Sequence, residues 1–281
     1  MAADGGGGER LKLGVMARLR DGEPEAALEK VGSLGVPTCQ LSTEDVALYT
    51  PEMADRVRRA SEQHGVEITT LWAHVPGRKV WDFYEGPLTI GLVPDDDREG
   101  RLRALLRAAE FASWIGAPSL TTHVGFIPED PNDPKYDATV QALRRLAERC
   151  GEYGLRFWFE TGQETPVTLL RTIQDVATDN LGINLDAANL VLYGKANPLD
   201  ALDVFGRYIE GVHAKDGEYP TDGRQLGTQK ALGDGRVDFT VLVPKLKALG
   251  YRGALTIERE ISGPRQIAEI RRAIELLSPL C

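Results

Sequence analysis

From position 11 onward, apolar runs of four to seven residues alternate with amphipathic stretches of ten to twenty. Short apolar runs bounded by turn residues suit strands buried on both faces, and the longer amphipathic stretches suit helices that cover them. The alternation therefore predicts repeated βα units around a parallel sheet. Eight strands are predicted, at 11–17, 38–41, 67–73, 119–123, 156–160, 182–186, 209–214 and 253–257. Helices are predicted at 23–34, 51–64, 97–115, 136–153, 166–177, 198–205, 238–249 and 264–277. The punctuation agrees. Pro51, Pro166, Pro198 and Pro264 stand at or beside helix starts, where a missing N–H costs nothing. Gly65, Gly154 and Gly250 follow helix ends, where a left-handed residue stops the helix. Eight units in roughly 250 residues predict an α/β fold with a single closed (β/α)₈ TIM barrel, spanning 11–281. A doubly wound open sheet is the alternative. It would usually carry a Gly-rich phosphate loop after the first strand, and Val15-Met16-Ala17-Arg18-Leu19 has none.

The Gly-rich segment 1–10 lacks the apolar core of a signal peptide and reads as a disordered lead-in. No apolar run approaches the ~20 residues of a membrane span, so no membrane partner is expected. A formal net charge of −9 disfavours nucleic acid, whose phosphates are bound by clustered Lys and Arg. Arg101, Arg103 and Arg107 share one predicted helix and read as its solvated face. Cys39, Cys150 and Cys281 show neither zinc-type spacing nor a disulfide framework, which fits a reducing, cytoplasmic setting.

In a barrel of this kind the strand exits form the catalytic face. Glu160, Asp186, His213 and Glu258 each end or follow one of the last four predicted strands, in order. Any one of them alone could be a salt-bridged strand end. Four together on one rim make an oxygen-rich site for a divalent cation, completed by water and substrate oxygens. Carboxylates with a single imidazole suit Mn²⁺ or Mg²⁺, with Co²⁺ tolerated, whereas a structural Zn²⁺ site would use Cys or more His. Such an ion polarises a carbonyl and stabilises an enediolate. Glu160 and Glu258, on the fifth and eighth strands, could then move a proton from two sides of a substrate. His74 and His123 also fall at strand exits, whereas His64 sits at a helix end.

Glu160 in Phe-Glu-Thr-Gly-Gln-Glu-Thr, Asp186 in Asn-Leu-Asp-Ala-Ala-Asn, His213 in Val-His-Ala-Lys-Asp and Glu258 in Ile-Glu-Arg-Glu resemble the metal-site motifs of the xylose-isomerase-like TIM barrel superfamily. The similarity is nearest to its sugar phosphate isomerase/epimerase branch, which includes ketose 3-epimerases, and it runs from about Leu11 to Leu277. The resemblance implies a metal-dependent sugar isomerase or epimerase in carbohydrate metabolism. Glu160, Asp186, His213 and Glu258 would be the metal ligands, with Glu160 and Glu258 the acid–base pair. It implies that Lys215 contacts a substrate oxygen and that His123 lines the pocket. The partner implied is a small-molecule carbohydrate, and a homo-oligomer is admitted as well as a monomer. Asn189 is a departure, because ketose 3-epimerases often carry a histidine there. An Asn keeps hydrogen bonding but takes no proton near neutral pH.

Further substrate-binding candidates are His74, Gln163 and Trp72. Trp72 and the run Trp81-Asp82-Phe83-Tyr84 could stack on a sugar or close over it, or form a packed loop or a subunit contact. Gln163 and Glu164 could orient the substrate or the metal shell, and Glu164 reads rather as a cap of the following helix. Arg259 reads equally as a ligand for a substrate anion and as the partner of a carboxylate. Gly233-Asp234-Gly235 reads as a turn into an Asp238 N-cap. The same metal and base could instead serve a lyase or deglycosidase acting on an oxidised (3-keto) sugar or glycoside. A nuclease on this barrel would use several metals and more than these four histidines. A non-catalytic sugar-binding protein would be expected to have lost ligands, and none is lost.

Overall fold

A computed structural model describes residues 10–19 and 22–281 of the chain. Residues 1–9 of the predicted lead-in lie outside the described residues. The strands are β1 (Leu13–Arg18), β2 (Thr38–Thr43), β3 (Glu67–Ala73), β4 (Ser119–Thr122), β5 (Arg156–Glu160), β6 (Leu181–Asp186), β7 (Ile209–Ala214), β8 (Asp216–Gly217), β9 (Gln229–Lys230) and β10 (Leu255–Ile257). Eight of them close a parallel barrel in the order β1-β10-β7-β6-β5-β4-β3-β2. The two-residue strands β8 and β9 pair antiparallel outside it. The helices are α1 (Pro24–Ser33), α2 (Pro51–His64), α3 (Gly86–Thr89), α4 (Arg98–Trp114), α5 (Pro134–Glu152), α6 (Pro166–Val176), α7 (Ala187–Leu192), α8 (Pro198–Phe205), α9 (Phe239–Ala248) and α10 (Pro264–Leu277).

Each apolar run became a strand because both its faces are covered, by helices outside and by barrel-filling side chains inside. Thus β2 and β6 are buried at every position. Helix starts follow the predicted chemistry. Thr50 and Thr165 accept from the backbone N–H groups of Met53 and Thr168, and Asp238 caps α9 through Thr240. Gly65 ends α2 in the left-handed region at φ 62°.

Several features depart from the predicted elements, among them the short α3 and the β8–β9 pair. Helix α7 follows β6 directly, capped by Asp186 through Asn189 N–H. Arg101 is not on a solvated face: it is 7% exposed and donates to the carbonyl of Gly91. With Arg98, which donates to the carbonyls of Leu92 and Val93, it ties the long segment after β3 to α4. That segment also crosses the chain leaving β4. A Cβ on Gly91, at φ 73°, would meet the Val124 carbonyl oxygen at 1.9 Å, and one on Gly125 would meet that of Ile90 at 2.3 Å. Only two backbones without side chains can cross this closely.

Candidate metal and substrate site

The strand exits place the predicted residues around one cavity of about 320 Å³. Trp72, His74, His123, Glu160, Asn189, Lys215 and Glu258 line it. Asp186 and His213 lie beneath its floor, both 0% exposed. Gln163 is also buried and off the wall. Its side chain bridges His123 Nδ1, at 3.1 Å, and the Tyr193 hydroxyl, at 3.0 Å.

The charged groups converge on His213 Nδ1. Glu160 Oε1 is 2.9 Å from it, Glu258 Oε2 3.4 Å and Asp186 Oδ2 3.7 Å. Yet neither His213 Nδ1 nor Asp186 Oδ2 makes a hydrogen bond, although both are buried. At 2.9 Å the first pair is close enough to bond and is out of line to do so. Glu160, Asp186 and His213 each bring a ligand atom within 4.8 Å of the others, which is the reach of one metal ion. Buried polar atoms without a hydrogen bond are rare and ask for an explanation; a cation among them would supply one, although Asp186 Oδ2 also has the Lys215 ammonium at 3.4 Å. Asp186 is divided between two tasks: Oδ1 accepts from Asn189 N–H at 2.8 Å to cap α7, and Oδ2 is left for the site. Burial pushes the His213 imidazolium down, but the charges of Glu160 and Glu258 hold its pKa well above the ordinary histidine value. The same carboxylates would hold a cation in place of that proton.

Lys215 is the counter-charge. Its ammonium lies 3.0 Å from Glu260, 3.1 Å from Glu258, 3.4 Å from Asp186 and 3.2 Å from Asn189 Oδ1. Burial pushes the Glu258 carboxyl up, but Lys215 and His213 overcome it and hold Glu258 well below the usual carboxylate range. Burial raises Glu160, and His213 opposes it only in part. The two glutamates are thus driven apart in proton affinity, as suits an acid and a base. Opposite them, Trp72, His74, His123 and Trp81 form an aromatic wall. Ring centroids lie 4.4 Å apart for Trp72–His74, 5.3 Å for Trp72–His123 and 5.2 Å for Trp81–His123. Burial pushes His123 down to about 3 and His74 to about 4, so both are neutral near pH 7. Trp81 joins the wall, whereas Tyr84 points out to solvent. Arg259 is taken up by Glu269 and Gln229, and Gly233 and Gly235 donate to Asp216.

Sequence reasoning missed Gln40 and Asn184. Asn184 donates to Glu160 Oε2 at 2.5 Å, and Gln40 connects it to His213 Nε2 through contacts of 2.8 Å each. The only signal was an amide inside the largely apolar β6; in β2, which also holds Thr38, Ser42 and Thr43, Gln40 did not stand out. Trp72 Nε1 is a second donor to Glu160 Oε2, at 3.1 Å.

Glu164 lies behind this layer, 2% exposed, with Oε1 unpartnered. Burial pushes its carboxyl from 4.5 up to about 8. Below the lower value both folded and unfolded chains carry the proton, and Glu164 has no pH-dependent effect. Between the two values the unfolded chain ionises first, so stability is lost as pH rises; above about 8 the loss is constant. Glu164→Gln should remove that loss, raising stability by about 3 kcal/mol at pH 7 and little at pH 4.5. Thermal melts of both proteins at the two pH values check this; a gain of equal size at both would refute it.

A profile of the xylose isomerase-like TIM barrel family matches residues 28–280. A crystal structure of a xylose isomerase domain protein from Planctomyces limnophilus is 34% identical, with a TM-score of 0.90 over 96% of this chain and 97% of that one. An inosose dehydratase of Lacticaseibacillus casei is 27% identical over 147 residues, 46% of this chain and 48% of its own length. The 3-keto-D-glucoside 4-epimerase YcjR of E. coli, 17% identical, shares the fold with a TM-score of 0.70 over 96% of this chain and all of its own. D-Psicose and L-ribulose 3-epimerases share it too.

Proposed function

This chain belongs to the xylose isomerase-like TIM barrel family, and on that premise we propose that it is a divalent-metal-dependent enzyme acting on a small carbohydrate. Its reaction moves a proton on a carbon next to a carbonyl, as in a sugar or sugar phosphate isomerase or epimerase. The convergence of Glu160 Oε1, Asp186 Oδ2 and His213 Nδ1 within 4.8 Å of one another, the latter two without a hydrogen bond, carries this reading. The holders would be Glu160, Asp186 and His213, with Glu258 as the fourth. One imidazole among carboxylates suits Mn²⁺ or Mg²⁺, with Co²⁺ tolerated. When bound, such an ion polarises the substrate carbonyl and favours the enediolate.

The remaining work falls to the chain's own groups. Glu258 is held ionised by Lys215 and keeps 12% of its side chain open beside the cavity, so it takes the proton from carbon. Glu160 is the other member of the acid–base pair and returns it through Oε1, the oxygen that Trp72 and Asn184 leave free. Neutral His74 and His123, with Asn189 and Lys215, hold substrate hydroxyls, and Trp72 and Trp81 cover the apolar face of the sugar.

One observation favours a second reading, elimination next to a keto group as in a lyase. Trp72 and Asn184 both donate to Glu160 Oε2, so that oxygen has no lone pair left for a proton in flight. Elimination needs one base and a departing group rather than two carbon acids and bases, and the inosose dehydratase relative is named for such a reaction.

Incubation with keto- and aldohexoses, pentoses and their 3-keto derivatives in D₂O, with and without Mn²⁺, tests both by NMR. Metal-dependent deuterium at the carbon beside the carbonyl is expected. Retention of all substituents marks an isomerase or epimerase, and loss of water or an alcohol marks a lyase. A protein that binds no divalent ion would refute the site.

A further inference from the structure

We propose that Gln40 and Asn184 form a one-way hydrogen-bond relay that dictates which atoms of His213 and Glu160 face the cation, which makes both of them positioning residues. The proposal rests on the metal reading above.

The assignment follows from donor and acceptor chemistry at each step. An indole N–H can only donate, so the Trp72 contact marks Glu160 Oε2 as an acceptor. Asn184 must then turn its NH₂ toward the same oxygen, at 2.5 Å, which turns its carbonyl toward Gln40. Gln40 must meet that carbonyl with its own NH₂, at 2.8 Å. Its carbonyl is left facing His213 Nε2, also at 2.8 Å. A carbonyl cannot donate, so Nε2 carries the hydrogen. In a neutral imidazole the other nitrogen then holds the lone pair, and that nitrogen is Nδ1, which stands among Glu160, Asp186 and Glu258. Reversing Asn184 would bring two like atoms together at both of its ends, and reversing Gln40 would set its carbonyl against that of Asn184.

The relay also occupies Glu160 Oε2, so Oε1 is the oxygen turned to the cation. Gln40 is 1% exposed and Asn184 0%, so neither can exchange its partners for water. The seat is cut to fit: a Cβ on Gly211 would lie 2.2 Å from Asn184 Oδ1. Second partners of this kind fix the tautomer of a ligand histidine and its basicity.

The first test uses the unmodified protein. With Mg²⁺ bound and histidine labelled with ¹⁵N, four side chains report. His213 should carry its proton on Nε2, and a proton on Nδ1 would overturn the relay. The second test measures Mn²⁺ affinity by titration for Gln40→Met and Asn184→Leu, which keep the volume and remove the polarity. Each should bind about 10–100-fold more weakly. The double variant should fall well short of the product of the two losses, because either break opens the same chain. A purely structural pair would lower the melting temperature and leave Mn²⁺ affinity within about twofold, which would refute the proposal. If the unmodified protein binds neither ion, the metal reading falls and takes the relay with it. Binding with the wrong tautomer sinks the relay alone.

Discussion

Glu258→Gln is expected to slow metal-dependent deuterium exchange by about 10²–10⁴-fold, the usual contribution of a positioned general base. The amide keeps the size of the side chain and an oxygen for Lys215, 3.1 Å away. It loses the carboxylate that Lys215 and His213 keep ionised and so free to accept a proton. Glu160, Asp186 and His213 still offer three ligand atoms within 4.8 Å of one another, so Mn²⁺ should remain bound. The measurement is the exchange rate in D₂O at saturating metal, beside a metal titration of the same sample. A rate loss below about tenfold would move the base elsewhere. A large loss that vanishes at higher Mn²⁺ would make Glu258 a ligand and nothing more.

Lys215→Met should produce the largest change in stability. The ammonium is 3% exposed and stands between Asp186, Glu258 and Glu260. Burial opposes its charge, yet those carboxylates hold its pKa well above the ordinary lysine value. Taking one partner from a buried charged group leaves the others uncompensated, at a cost of about 3–5 kcal/mol. A divalent cation would restore part of the missing charge. The loss should therefore be greatest in EDTA and shrink with Mn²⁺, so that the metal-dependent rise in melting temperature becomes larger than in the unmodified protein. Melts in the two buffers decide it: equal losses in both would show that Lys215 and the cation do not share the same carboxylates.

The barrel was legible because its signal is periodic and repeated. The helices 51–64, 198–205 and 264–277 and the strands at 67–73, 156–160 and 209–214 form with the predicted bounds. The charged residues were legible for a related reason: Glu160 or Asp186 at the end of an apolar run has no place in a sheet without work to do. What stayed hidden depends on contacts between distant segments. Arg101 looks like any helix arginine until Gly91 is folded against it. Helix α7 has six residues, too few for a period to show, although Asp186 is an ordinary cap for it. Gln40 is separated from Asn184 by 144 positions and from His213 by 173, and no local pattern announces such partners.

Those separations bear on how the chain could be divided. A fragment beginning just before β5 would hold all four proposed ligands, Glu160, Asp186, His213 and Glu258, together with Lys215. It would lack β2, and with it the amide that sets the imidazole. The complementary fragment would supply Gln40 and Trp72 but no ligand. Neither piece of a split chain can assemble the centre alone, so recovery of tight metal binding on mixing the two would report closure of the barrel itself.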